Sequence, residues 1–175
     1  MQTASGRMTR YDGFTRFLHW LMGLLILLQF AKFFDRIDDG EHWLGQTVVP
    51  THVSVGLLLL VLIALRVFWA LRTRGLRPAY VGRTAPFAKL GHILLYVAML
   101  LMPILGISYM IGKGYGLKFF GARLVEKGPE IDWAMSIGAL HSPLAWTLLL
   151  LTLGHIAAAF YHHFMERDDT MRRIL

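Results

Sequence analysis

Four long apolar blocks constrain this 175-residue chain more than any other feature. They run over about 17–34, 48–71, 87–111 and 134–164. Each is long enough to cross a ~30 Å hydrocarbon core, which takes roughly 20 helical residues. Inside hydrocarbon a backbone has to satisfy its own N–H and C=O groups, so each block is predicted to be a helix. The expected fold class is therefore all-α, a four-transmembrane-helix bundle forming a single domain over 1–175. Trp20, near the start of the first block, reads as an interface anchor. Pro78 and Pro86 stop the second and third blocks from merging, and Pro103 is expected to kink the third helix. Between the third and fourth blocks lies a Gly-rich loop of mixed charge, Gly112 to about Asp132. The stretch ahead of the first block is polar, and no small-residue cleavage site follows that block, so no cleavable signal peptide is expected.

Charge sets the orientation. Four crossings put both termini on one side of the membrane. That side carries Arg7, Arg10 and Arg16, then Arg66, Arg72, Arg74, Arg77, Arg83 and Lys89, then Arg167, Arg172 and Arg173. The other side carries only Lys32, Arg36, Lys113, Lys118, Arg123 and Lys127. The excess of Lys and Arg near cytoplasmic helix ends places both termini in the cytoplasm. The net charge of +7 thus reads as topology, and no nucleic-acid partner is expected. The expected partner is the lipid bilayer, and the expected location is a membrane whose cytoplasmic side holds both termini.

The chain has no cysteine. That excludes disulfides, iron–sulfur clusters, thiolate zinc sites and covalent c-type haem attachment. Eight histidines remain, at 19, 42, 52, 92, 141, 155, 162 and 163, and only His42 falls clearly in a loop. An ionisable group inside a membrane is costly, so its default reading is functional. A lone neutral histidine can instead bond across helices and do nothing further. Register argues against that for four of them. His141 and His155 are 14 residues apart, which at ~3.6 residues per turn and ~1.5 Å rise puts them on nearly one face and roughly 21 Å apart. His19 lies near the cytoplasmic start of the first helix and His52 near the periplasmic start of the second. The depths pair His52 with His141, and His19 with His155, as axial ligands for two b-type haem irons stacked across the membrane.

Other residues support this reading. Gly56, Gly154, Ala157, Ala158 and Ala159 would make room for a flat macrocycle, although tight helix packing also favours small residues. Arg66, 14 residues after His52, would pair with a haem propionate or snorkel at its helix end. His92, His162 and His163 lie at the cytoplasmic boundary, as candidates for binding a quinone carbonyl and its proton or as water-facing histidines. No third ligand with suitable spacing supports zinc at His162 and His163.

Several segments resemble the bacterial cytochrome b561 family of four-helix di-haem membrane proteins. They are FLHWLMG around His19, THVSVGLLLLVLIALR from His52 to Arg66, LGHILLY around His92, the His141-x13-His155 spacing, and the ending HIAAAFYHHFMERDDTMRRIL. The resemblance covers about 15–173. It implies axial ligation by His19, His52, His141 and His155, two haem b and exchange with the ubiquinone pool. The same core is similar to the haem subunits of membrane hydrogenases and formate dehydrogenases.

Within the family the resemblance is nearest to members that oxidise periplasmic superoxide and reduce ubiquinone. Lys113, Lys118, Arg123 and Lys127 would then attract the anion. Glu126, Glu130 and Asp132 offer counter-charges in the same loop, and the acidic loop with Asp35, Asp38, Asp39 and Glu41 opposes a uniformly positive funnel. The alternative is a non-catalytic electron-transfer subunit that links the quinone pool to a periplasmic redox protein. A small transporter with histidines in a proton path is a third reading, and it needs no haem.

Overall fold

A computed structural model describes residues 8–36, 41–79 and 84–175. Arg7, Asp38, Asp39 and Arg83, used above in the charge analysis, lie outside these. Among the described residues four helical stretches are long and apolar enough to cross a membrane: Gly13–Phe34, Trp43–Arg72, Ala85–Gly112 and Asp132–Glu166.

The first comprises α1 (Gly13–Gln29) and a 3-10 extension, Phe30–Arg36. Asp12 caps α1 by accepting from the Thr15 N–H at 2.9 Å and the Thr15 hydroxyl at 2.7 Å, which satisfies donors a helix start leaves unpaired. A short helix, α2 (Trp43–Thr47), and a 3-10 turn containing Pro50 lead into α3 (His52–Arg72). In α4 (Ala85–Gly112), Pro86 sits in the first turn, where no N–H is needed, and Pro103 lies inside the helix.

The link from α4 to the last span differs from the irregular loop expected. It holds an antiparallel hairpin, β1 (Leu117–Phe119) and β2 (Ala122–Val125). Phe120 and Gly121 form its two-residue turn with φ of 43° and 94°, the positive values a tight hairpin requires. The Phe120 N–H donates to the Ser54 hydroxyl at 2.9 Å. This bond pins the hairpin over the first turn of α3.

The fourth span is also not one continuous α-helix. It is α5 (Asp132–Gly138), a turn at Ala139–Leu140, and α6 (His141–Tyr161), which passes into a π-helical turn, His162–Glu166. Gly138 lies so close to α4 that a Cβ would fall 2.4 Å from the Tyr109 backbone, and Gly112 likewise abuts Met135. Only glycine permits this approach, which locks α5 against the end of α4 and fixes where α6 begins.

Close backbone packing runs in the order α1, α3, α4, α6. The fully buried core is thin and includes Leu18, Met22, Leu59 and Ile63, whereas Phe17, Val61, Phe68 and Leu150 are exposed. An apolar exterior of this extent suits a helix bundle whose solvent is lipid.

Candidate cofactor site

α6 packs closely on α4 but makes little close backbone contact with α1 or α3. Histidine side chains bridge that gap at two levels. At one level the rings of His52 and His141 stand nearly perpendicular, at 82°, with centres 6.0 Å apart. At the other, near the termini, the rings of His19 and His155 are 6.1 Å apart. Two metal–imidazole bonds of about 2 Å each, with the radii of both rings, put ring centres about 6 Å apart across one shared metal. Both pairs meet that requirement. Two imidazoles on opposite sides of one metal are an arrangement that each pair could supply.

The upper pair opens on a cavity of about 670 Å³ lined mainly by apolar groups, among them Met22, Leu57, Met99, Ile107 and Ala145, with Gly56 and Gly106 in its wall. That size lies within the ~300–1,000 Å³ typical of cofactor pockets. Nδ1 of His141 donates to the Met102 carbonyl at 2.9 Å, which leaves Nε2 with its lone pair for a ligand bond. Gly106, one turn beyond Met102, makes this possible, since a Cβ there would lie 3.1 Å from Cε1 and 3.2 Å from Nδ1 of the same ring. The opposite partner is steadied too, for the Gln29 side-chain amide donates to the His52 carbonyl at 2.9 Å. Met102, Gly106 and Gln29 were not singled out from sequence. Met102 acts through its carbonyl, Gly106 through the absence of a side chain and Gln29 through a bond to a main-chain carbonyl, so none of the three leaves a motif.

At the lower level the structure rearranges the sequence expectation. His92 joins the pair, its ring centre 5.4 Å from that of His155, so it sits among the inward imidazoles and not apart from them at the boundary. Arg66 reaches the same place. Its Nη2 lies 3.3 Å from Nδ1 of His19 and its Nε donates to the Tyr96 hydroxyl at 3.1 Å. His162 and His163 stand outside this group. His162 Nδ1 is paired with Asp168 at 2.7 Å, and the pair, together with two bonds from Thr170, holds the Asp168 carboxyl below its ordinary value against the opposing effect of burial. His163 packs edge-on against Phe164. Gly154 has open space where a Cβ would be.

The four cations of the link between α4 and α5 are unequal. Lys113 is 3.7 Å from Glu130, and Arg123 is bonded to Glu126 at 2.7 Å. Lys118 and Lys127 are exposed, and neither has an ion pair among the described residues. The Phe120–Ser54 bond places the hairpin bearing Lys118 two residues from His52.

The termini meet at the opposite end. The Tyr11 N–H donates to the Arg173 carbonyl at 3.0 Å, Arg10 Nε to the Arg172 carbonyl at 3.1 Å, and the Trp20 indole to the Ile174 carbonyl at 3.2 Å. Trp20 thus ties down the tail as well as lying half-exposed at the rim.

Comparison with known proteins identifies the family. The family model described as prokaryotic cytochrome b561 matches residues 10–175. The chain is 30% identical to cytochrome b561 homolog 2 of Escherichia coli, over 95% of this chain and 91% of that protein. It is 27% identical to a probable superoxide oxidase, CybB, of Yersinia pestis, over 90% of this chain and 91% of that protein. It is also 27% identical to a cytochrome b562 of Cereibacter sphaeroides, over 96% and 98% of the two chains.

Proposed function

The chain belongs to the prokaryotic cytochrome b561 family of membrane electron-transfer proteins, and we propose that it carries electrons from superoxide, through two b haems, to ubiquinone. The observation that carries the reading is the pair of neighbouring imidazoles at each of two levels, with centres 6.0 and 6.1 Å apart. In it His52 and His141 hold the periplasmic-side haem, and His19 and His155 the cytoplasmic-side haem. Haem supplies one-electron storage and transfer that no side chain here can provide. The resemblance to a probable superoxide oxidase supports the donor.

The chain's own residues then have distinct tasks. The Met102 carbonyl aims His141 and sets its tautomer. Met22, Leu57 and Met99, in the cavity beside the upper pair, would keep water from the cofactor held there. Lys118 and Lys127, unneutralised and exposed, raise the local concentration of an anionic donor. Two superoxide anions give up one electron each and leave as dioxygen. One quinone takes both electrons and two protons at the cytoplasmic end. There His162, paired with Asp168, and His92 are the candidates to hand on protons, since an imidazole nitrogen can both donate and accept. Arg66 donates to Nδ1 of His19, so ligation through Nε2 of His19 requires Arg66 to turn to another acceptor, and a haem propionate is one.

The test uses protein purified in detergent, with the visible spectrum followed during superoxide generation. A b-type spectrum, reduction abolished by dismutase, and reoxidation on adding ubiquinone are expected. Absence of haem would overturn the reading. Haem that ignores superoxide but is reduced by a quinol would identify an electron-transfer subunit serving a separate periplasmic protein.

A further inference from the structure

Three arginines converge at the termini end with no ion-paired carboxylate among the described residues. Arg66 lies over the Tyr96 ring, its guanidinium carbon 5.7 Å from the ring centre. Arg77 lies over the Tyr11 ring at 5.9 Å. Arg77 Nε donates to the Thr73 hydroxyl at 3.1 Å, but its Nη2 is buried and has no hydrogen-bond partner among the described residues. Arg173 arrives from the far end of the chain, held by the Tyr11–Arg173 backbone bond and by its own bond to the Ala79 carbonyl at 3.1 Å. The Tyr11 hydroxyl feels Arg77, Tyr96, Arg173 and Arg66 together. Among the described residues none of the three arginines has an ion pair. A half-buried cluster of like charges around a buried, unsatisfied guanidinium nitrogen is costly unless an anion completes it.

We propose that Tyr11, Arg66, Arg77, Tyr96 and Arg173 form a receptor for the two propionate groups of the cytoplasmic-side haem, so that the C-terminal tail closes over that cofactor. The proposal rests on the two-haem reading above. Position favours a propionate over a lipid phosphate. Arg66 touches His19 directly, and the Tyr11 hydroxyl feels Arg66 as well as Arg77 and Arg173. The cluster therefore runs inward to the ligand pair instead of lying open at the rim. Burial raises the Tyr11 phenol above its ordinary value even though Arg77 pulls it down, so the hydroxyl stays protonated and can donate to a carboxylate. Guanidinium forks suit the same acceptor.

The experiment uses the full-length, haem-loaded protein and the variants R77Q, R173Q, R77K and R74Q. The readouts are haem-to-protein ratio, haem transfer to an acceptor apoprotein, and a potentiometric titration that resolves the two haems. R77Q and R173Q are each expected to speed release of one haem about tenfold or more, the scale of one charge-assisted hydrogen bond. They should also lower the potential of that haem alone, because lost positive charge favours the oxidised form. R77K should fall between, which separates the charge from the fork geometry and covers a misfolded glutamine variant. R74Q removes an exposed charge outside the cluster and should change nothing. Unmoved release and potentials in R77Q and R173Q overturn the proposal. So does an equal shift in R74Q, which would mean a diffuse field, or unchanged haem with loss of co-purifying anionic lipid, which would mean a headgroup site. A wild-type protein with fewer than two haems sinks the two-haem reading itself, and is recognised before any variant is made.

Discussion

Nδ1 of His141 donates to the main-chain carbonyl of Met102 across the α4–α6 contact, at 2.9 Å. A carbonyl can only accept, so this bond fixes which ring nitrogen carries the proton. It thereby leaves Nε2 with its lone pair for a ligand bond. The geometry depends on Gly106, because a methyl group there would meet the ring at 3.1–3.2 Å.

Gly106→Ala is therefore expected to push the His141 ring by a few tenths of an ångström and loosen its bond to Met102. Overpacking of this kind costs about 1–3 kcal/mol. The expected result is weaker retention of the upper haem and a changed potential for that haem only, measured by redox titration of the visible bands. An unchanged titration would show that the ring has slack the structure does not suggest.

His19 and His92 both approach the His155 ring, with centres 6.1 and 5.4 Å away. If His19 is the ligand, His19→Ala removes the lower haem and roughly halves the haem content, while His92→Ala keeps both haems. Pyridine haemochrome assay of the two variants decides this, and the reverse pattern would assign the ligand to α4.

Lys118→Gln and Lys127→Gln together should slow reduction by superoxide several-fold at low ionic strength. The difference should shrink towards ~0.15 M salt, where the screening length falls to about 8 Å. Arg123→Gln should do less, since Glu126 already neutralises Arg123. Stopped-flow rates across a salt series measure this, and a salt-independent rate would remove the steering role.

Asp12 joins helix start to helix end, capping α1 and accepting from the Trp69 indole at 3.1 Å. Burial alone would raise its carboxyl, but the Thr15 and Trp69 bonds outweigh it and hold the group below its ordinary value. Stabilisation from a lowered carboxylate is present above the unfolded value, about 4, and is lost as pH falls through the folded one. Asp12→Ala should cost about 1 kcal/mol at neutral pH, and the gap in Tm from wild type should narrow on acidification towards pH ~3.

What the sequence determined by itself follows from period and solvent. Apolar runs of spanning length can only be helices in hydrocarbon. Histidines 14 residues apart on one such run share a face because helix geometry is fixed. Those two facts made the spans, and the facing of His141 and His155 towards partners at two levels, legible before any coordinates. The tertiary structure alone decided the rest. It broke the last span at Ala139–Leu140, because close approach of Gly138 to Tyr109 is a property of two helices and not of one. It also folded the Gly-rich link into a hairpin held by Ser54, moved His92 beside His155, and brought Arg173 to Tyr11. Each of these joins residues distant in the chain, and no local spacing records which distant groups will meet.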